Sequence, residues 1–287
     1  MGIDITIHAG LTPETSNASA SGYECHVISD KEVGTFGITD GPLKNAVGKY
    51  FGKNPNDAYL HSDTPWGDLY KTYNWPQVQT MLVVDSATIT GITSQPVIVA
   101  QQTFKNTSQV KGTFNVGISQ SVTNTVTSSW TNSDTLTVGQ KFSYKVTFLG
   151  AGGGGETSLT YSHTWSETKT ESQAITVGTS SGVSVPLDPG QAVNAVLTAS
   201  RGVMKVRLTY RAYLIGNTAI NYNPTYKDHH FWSLGIGSVM AAAGIANSKT
   251  VTEDLEIGFY TNSQIELRDT ASNAVQTLYS SQMRPAA

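Results

Sequence analysis

Residues 135–167 carry the feature that most constrains the fold, which is two stretches of alternating sequence separated by a glycine-rich segment. In the first stretch, 135–148, apolar side chains occupy the even positions except at Gln140, and Thr, Gly, Lys or Ser occupy the odd ones. In the second, 157–166, the bulky side chains lie at odd positions and Ser or Thr at even ones. Because successive strand residues point to opposite faces, each stretch predicts a strand with one apolar and one polar face.

Symmetric pairing of the two arms about the glycines brings both apolar rows onto one face of a hairpin. The predicted pairs are Phe148 with Thr157, Val146 with Leu159, Tyr144 with Tyr161, and Phe142 with His163. About ten residues per arm allow a tilted strand to cross a bilayer, and this alternation is typical of membrane β-barrels. Half-buried antiparallel strands of other proteins show the same alternation, so both interpretations stay open at this point.

The barrel interpretation gives each position of the hairpin a predicted role. The predicted membrane-inserting side chains are Leu136, Val138, Phe142, Tyr144, Val146, Phe148, Leu159, Tyr161 and Trp165. The predicted pore-lining side chains are Lys141, Ser143, Lys145, Thr147, Ser158, Thr160 and Ser162. The predicted tip consists of Gly150, Gly152, Gly153, Gly154 and Gly155. Since a lone hairpin leaves two unpaired backbone edges in lipid, several copies must close a ring.

Composition narrows the remaining function classes. Charged residues make up only 14% of the 287 residues and the net charge is -3, without the basic patch of a nucleic-acid-binding protein. A single cysteine, Cys25, excludes an intrachain disulfide, and we expect a buried structural thiol because the adjacent His26 would point to the opposite face of a strand. No signal-peptide pattern and no run of 18 apolar residues occurs, which predicts a chain that is soluble before it inserts.

The composition changes near residue 85. Residues 1–85 contain five prolines and an aromatic cluster, and they predict a head with short helices near 41–52 and 66–73. Residues 86–287 are rich in Ser, Thr and Val in strand-like alternation, and they predict an elongated β module. The head is the predicted receptor-binding domain through Tyr59, Trp66, Tyr70, Tyr73 and Trp75, although core packing is the commoner role of such side chains.

Several segments between 89 and 216 resemble one protein family in their order and spacing. They are Phe104–Ser108, the Ser-Ser-Trp-Thr run at 128–131, the Ser-His-Thr-Trp-Ser run at 162–166, and Val183–Gly190. Together they resemble the aerolysin-like β-pore-forming proteins of the epsilon-toxin and mosquitocidal-toxin family, which includes natterins. The chain has Pro-Leu-Asp-Pro-Gly at 186–190 where many relatives have consecutive prolines.

The resemblance implies a fold and a mechanism. The implied fold is mainly β, an elongated antiparallel aerolysin-like architecture with an N-terminal head that carries short helices. The implied function is that of a toxin or defence protein that binds a protein or glycan receptor on a target-cell membrane, forms a homo-oligomer, and inserts one hairpin per protomer. No enzyme activity, cofactor, metal or nucleic-acid partner is expected. Relatives are often activated by proteolysis near a terminus.

Three other function classes remain possible on sequence alone. A structural or storage protein would use the same Ser/Thr-rich strands without forming pores, and a carbohydrate-binding protein would stack its aromatic cluster on sugars. For an enzyme the best constellation is Asp228, His229 and His230 with Glu253 and Asp254. Contiguous histidines are poor metal ligands, and neither an HExxH motif nor a phosphate-binding Gly-Lys-Ser/Thr sequence is present. We therefore expect no enzyme.

Overall fold

A computed structural model of the protein describes residues 2–138, 141–148, 156–272 and 274–280, and strands dominate them. The strands are β1 Asp4–Ala9, β2 Asn17–Ser21, β3 Tyr23–Val27, β4 Asp57–Tyr59, β5 Gln79–Lys105, β6 Gly112–Thr131, β7 Lys141–Phe148, β8 Thr157–Thr164, β9 Thr170–Leu187, β10 Ala192–Ile215, β11 Asn217–Tyr226, β12 His229–Gly235, β13 Lys249–Asp269 and β14 Val275–Ser280. The helices are α1 Asp30–Thr35, α2 Asp40–Phe51, α3 Pro65–Tyr73 and α4 Ile236–Ala243. The mainly β, elongated antiparallel fold expected from the sequence is confirmed.

The largest sheet has the strand order β3-β5-β10-β13-β6-β9, with β14 paired to β13. Its longest strand, β5, has 27 residues, which corresponds to about 90 Å of extended chain. Along β10 the even positions from Met204 to Leu214 are buried, as their alternation predicts. The opposite face carries cross-strand ion pairs, including Arg207 with Asp254 at 2.7 Å.

A second sheet has the order β12-β11-β4 and combines early and late parts of the chain. Helix α2 packs against β4 and α4, while Leu69 and Tyr70 of α3 share a buried cluster with Ala219 of β11. The two helices expected near residues 41–52 and 66–73 are thus present as α2 and α3. A boundary between a head and a pore module at residue 85 stays a prediction.

The third sheet has the order β2-β1-β7-β8 and contains the hairpin. Strands β7 and β8 pair antiparallel with Tyr144 opposite Tyr161 and Val146 opposite Leu159, which is the register predicted from the sequence. The outer edge of β7 pairs in parallel with β1, which in turn pairs antiparallel with β2. The start of the chain therefore belongs to the same sheet as the hairpin.

The first arm was expected to begin at residue 135, and in this structure that expectation is wrong. Residues 133–135 form a 3₁₀ turn, and Leu136 and Val138 pack in the core without belonging to a strand. The reason is α1, because Thr35 Oγ1 donates to the Thr135 carbonyl at 2.8 Å and Glu32 accepts the Thr137 N–H at 3.2 Å. The second arm ends at residue 164, so Trp165 lies in the following turn. The five tip glycines, at 150 and 152–155, lie outside the described residues.

Candidate functional site

The apolar face of the hairpin is part of the protein core. All its large side chains on β7 and Tyr161 on β8 are buried, with relative exposures of 3% or less: Phe142, Tyr144, Val146, Phe148 and Tyr161. They pack on the long sheet, where the ring of Phe148 lies 6.3 Å from that of Phe259 and the ring of Phe142 lies 6.3 Å from that of Tyr210. Leu159 is half-buried. The hairpin thus covers a large apolar surface of the body while its own apolar row is hidden.

The opposite face of the hairpin is largely exposed. Lys141, Ser143, Lys145, Ser158 and Thr160 are open to solvent. Ser162 is half-buried, and its hydroxyl lies 2.8 Å from that of Ser143 across the strand pair. Thr147 differs from the others, since it is buried. The two faces therefore have the polarity that the alternation predicts, and the lipid-facing and pore-lining roles of these residues stay predictions.

A buried polar network joins the hairpin to the body at Glu253 of β13. The Tyr144 hydroxyl donates to Glu253 Oε2 at 2.5 Å and lies 2.8 Å from the Tyr210 hydroxyl, which donates to the same oxygen at 3.0 Å. His163 Nε2 lies 3.0 Å from Glu253 Oε1, and both side chains are fully buried. Burial and the nearby Glu253 charge raise the pKa of Tyr144 and of Tyr210 far above the usual range, so both hydroxyls stay protonated donors.

Sequence reasoning considered Glu253 only as a member of an enzyme site, although a signal for its real position exists. Glu253 lies between Val251 and Leu255, at an inward-facing position of an alternating strand. A carboxylate at such a position must find partners, because an unpaired buried charge is costly. Two of those partners, Tyr144 and His163, are the polar members of the hairpin's otherwise apolar rows.

Aromatic and main-chain contacts hold the base of the hairpin. Trp165 packs on Trp130 with ring centroids 4.7 Å apart, and its Nε1 donates to the Ser133 carbonyl at 2.9 Å. The Tyr161 hydroxyl donates to Ser128 Oγ at 2.7 Å, and burial raises the pKa of Tyr161 to about 12. These contacts involve side chains from both predicted strand segments of the Ser/Thr/Trp type.

Glu32 of α1 holds the segment that precedes β7. Its buried carboxylate accepts hydrogen bonds from the Ser29 N–H at 2.9 Å and the Thr137 N–H at 3.2 Å, and it pairs with His26 at 2.9 Å. Burial alone raises the pKa of Glu32, but the hydrogen bonds from His26, Ser29 and Thr137 outweigh it, so the pKa lies below its usual value. His26 therefore serves this contact, and Cys25 beside it is half-buried with its thiol 3.4 Å from Gln79 Oε1.

The aromatic cluster of residues 59–75 forms an exposed patch together with one residue from β12. Trp66 and Tyr73 are 47% and 49% exposed, and both rings lie beside Phe231, at 5.1 and 6.3 Å. Tyr59 packs against Trp66, and Trp75 stacks on Tyr73 at 4.8 Å. Sequence reasoning missed Phe231 because it is distant in the chain and only the head sheet brings it here.

Tyr70 does not belong to this patch, contrary to the sequence expectation. It is 3% exposed, and its hydroxyl donates to the carbonyls of Tyr59 and Asn217 at 2.8 and 3.0 Å. Burial raises the pKa of Tyr70 far above the usual range, so it remains a neutral donor. Tyr70 is a structural residue that joins α3 to the head sheet.

The residues considered for an enzyme lie in different surroundings. His230 Nδ1 lies 2.7 Å from the Tyr222 carbonyl, and His229 packs edge-on against Trp232, whereas Glu253 lies in the hairpin network. Among the described residues, no group of three or more His, Cys, Asp or Glu side chains is arranged to hold a metal ion. Within the same residues, no helix combines the length and apolar character needed to cross a membrane.

Comparison with known proteins identifies the family. Residues 56–278 match the family described as Clostridium epsilon toxin ETX/Bacillus mosquitocidal toxin MTX2. The chain belongs to this family. The match covers the hairpin, the long sheet and most of the head, and the chain is a pore-forming toxin-like protein.

Similar sequences and folds agree with this membership. U-megalopygitoxin(8)-Mo12 from Megalopyge opercularis is 38% identical over 249 residues, which is 87% of this chain and 85% of the relative. U-megalopygitoxin(8)-Mc8 from Megalopyge crispata is 38% identical over 89% of this chain and 88% of its own length. The crystal structure of parasporin-2, described as a Bacillus thuringiensis toxin that recognizes cancer cells, matches 90% of this chain and all of its own with a TM-score of 0.65 at 18% identity. This structural match is a likeness of fold.

Proposed function

We propose that this protein binds a target-cell surface, assembles into a homo-oligomer and inserts one β7–β8 hairpin per protomer into a shared transmembrane β-barrel. The observation that carries the proposal is the hairpin itself, which has one apolar face buried against the body and one hydroxyl-rich face. Membership of a pore-forming toxin family supports the same conclusion. We call the arrangement seen in the structure the stored conformation.

Leaving the stored conformation exposes apolar area on both the hairpin and the body, and lipid then replaces the body as the apolar surroundings of the hairpin. Each large side chain contributes about 1.5–3 kcal/mol when it leaves water. The lost polar contacts are those of Tyr144 and His163 with Glu253, so these contacts set the cost of release. The other face carries hydroxyls and two lysines, which suit a water-filled lumen.

The aromatic patch of Tyr59, Trp66, Tyr73, Trp75 and Phe231 is the proposed receptor contact. Exposed, mutually packed rings provide a rigid apolar surface that suits the faces of sugar rings or an apolar protein surface. A carbohydrate-binding protein without pore activity would use the same patch. Glycan binding without membrane leakage would favour this second function.

Dye release from liposomes and from cells, each with and without trypsin, tests the proposal. Val146 and Phe148 are unsuitable positions for a charge because both are fully buried in the stored conformation, and Asp there would also unfold the protein. Leu159 is half-buried on the predicted lipid face, and Thr160 is its exposed neighbour on the other face. Leu159→Asp and Thr160→Asp therefore form a matched pair.

We expect Leu159→Asp to reduce leakage at least about tenfold, because an acidic side chain on the lipid face costs up to about 2 kcal/mol. Thr160→Asp keeps leakage within about threefold of the parent, since its side chain faces water. Circular dichroism and thermal unfolding show whether both variants keep the fold. No leakage from the parent protein under any of these conditions, or equal losses in the two variants, would contradict the proposed pore.

A further inference from the structure

The outer edge of β7 is occupied by a strand from the start of the chain. Strand β1 pairs with it in parallel through five residue pairs, from Ile5 with Tyr144 to Ala9 with Phe148. Strand β8 takes the other edge of β7, and among the described residues β8 pairs with no further strand. Each copy of the chain therefore has a β7 edge that is taken and a β8 edge that is open.

A barrel built from hairpins requires both of these edges. Every strand of a closed barrel is hydrogen-bonded on both sides, and unpaired backbone groups are not tolerated in lipid. With two strands per copy, the outer edge of β7 must pair with β8 of the neighbouring copy. Because β1 uses the same backbone groups, pairing with β1 and pairing with a neighbour exclude each other.

The sequence of β1 resembles that of the strand it would stand in for. Ile5, Ile7 and Ala9 are fully buried and alternate with the half-buried Thr6 and His8. Strand β8 has the same alternation, with Leu159 and Tyr161 between polar residues. The apolar row of β1 thus continues the apolar row of the hairpin, as the row of a neighbouring β8 would in a barrel.

The β1–β2 ribbon is connected to the body at a residue with unusual backbone freedom. Gly22 follows β2 with a φ of 97°, and an added Cβ would lie 2.2 Å from the Gly2 carbonyl oxygen. Only glycine fits this left-handed connection without strain. Beyond it, β3 is paired with β5 of the large sheet. The ribbon is therefore a separate two-stranded unit between the hairpin and the body.

We propose that β1 holds the β7 edge, residues 144–148, in place of β8 from a second copy of the chain, and that the ribbon must leave before the barrel closes. This inference rests on the proposed pore function. Head-to-tail pairing of a β7 edge with a neighbouring β8 edge is a heterologous contact, which closes into rings. The ribbon thus prevents premature edge-to-edge pairing between copies.

A reversible cross-link tests the ribbon. In a Cys25→Ser background, Thr6→Cys with Lys145→Cys joins β1 to β7, since these residues are direct partners on the solvent side. The matched control, Thr6→Cys with Ser19→Cys, joins β1 to β2 and leaves the β7 edge free. We expect oxidation to lower leakage at least about tenfold in the first variant and to leave the control within about twofold, with recovery on reduction.

A second experiment separates edge exchange from simple tethering of the hairpin. One population carries Lys145→Cys and the other carries Cys at Ser158, Thr160 or Ser162, the polar face of β8. Mixed on liposomes and oxidised, they should form covalent dimers that do not form in solution. Full leakage of the oxidised β1–β7 variant, or leakage without covalent dimers at any of the three positions, overturns this inference and leaves the pore standing. A Cys25→Ser parent that does not leak contradicts the pore, and this inference falls with it.

Discussion

The hairpin sheet and the long sheet share the same alternation but differ in what their outward faces carry. The outward face of β10 is linked to its neighbours by ion pairs, including Arg207 with Asp254 and Arg211 with Asp85. The outward face of the hairpin carries hydroxyls and two lysines, and neither Lys141 nor Lys145 forms an ion pair with another described residue. A face linked by cross-strand pairs is committed to one arrangement, whereas a hydroxyl face loses little when its strands move.

The two regions also differ in length and in where their polar anchors lie. Strand β10 has 24 residues paired on both sides, while β7 and β8 have eight each. The hairpin compensates with the network at Glu253, which is buried beneath it. This comparison suggests that a few inward contacts, and not the outward surface, hold the stored conformation.

The largest expected effect therefore comes from the inward carboxylate. Glu253→Ala leaves Tyr144, Tyr210 and His163 without their common partner, and we expect it to lower the free energy of unfolding by about 3–5 kcal/mol. Glu256→Ala is the matched control, because Glu256 lies on the same strand facing solvent, 3.5 Å from Lys205. Its effect should stay below about 1 kcal/mol. Urea unfolding at neutral pH measures both, and similar losses in the two variants would break the comparison.

A smaller effect, dependent on pH, is expected at Glu32. Because its pKa is lowered in the folded state, Glu32 stabilises the fold above the unfolded pKa of about 4.3, and this contribution is lost as pH falls through the folded pKa. Glu32→Gln should cost about 1–2 kcal/mol at pH 7. This gap from the parent should narrow steadily below about pH 4.3.

Urea unfolding of the parent and of Glu32→Gln across this pH range measures the gap. Glu256→Gln, on the exposed face, is the control and should differ from the parent by less than about 0.5 kcal/mol at each pH. A Glu32→Gln gap that does not change with pH would show that the charge of Glu32 does not hold the segment before β7.

These results concern elements that the sequence predicts to different extents. The register of β7 with β8 and the alternation of β10 follow from local period-two patterns, and both are present in the structure. The parallel pairing of β1 with β7 has no local signal, since it joins segments that are far apart in the chain. The shortened first arm has a similar cause, because Glu32 and Thr35 of α1 bind the backbone at 135–137.

The candidate sites show the same limit. The aromatic character of the head patch is visible in residues 59–75, but the tertiary fold buries Tyr70 and adds Phe231. Glu253 is recognisable as an inward-facing carboxylate only once β13 has been assigned as a strand. Sequence therefore predicts faces and registers well, and it predicts partners poorly wherever they come from distant segments.

The smallest expected effect concerns the charge preference of the pore. Lys141 and Lys145 lie on the hydroxyl face, so each protomer would place two positive charges in the lumen. Rings of lysine favour anions, and we expect mild anion selectivity that weakens at high salt. Replacing both with glutamate should reverse the preference without abolishing assembly. Reversal potentials in a salt gradient measure this, and a cation preference that the double substitution leaves unchanged would remove these lysines from the channel.

Lipid-dependent quenching on β8 tests most directly whether the hairpin crosses the membrane. Single cysteines at positions 157, 158, 159 and 160, in a Cys25→Ser background, accept a fluorescent label because all four side chains are at least half-exposed in the stored conformation. On leaking liposomes that contain a quencher in the acyl chains, the account predicts strong quenching at 157 and 159 and weak quenching at 158 and 160. Leakage without quenching at any position, or with equal quenching at all four, would contradict the proposed insertion of this hairpin.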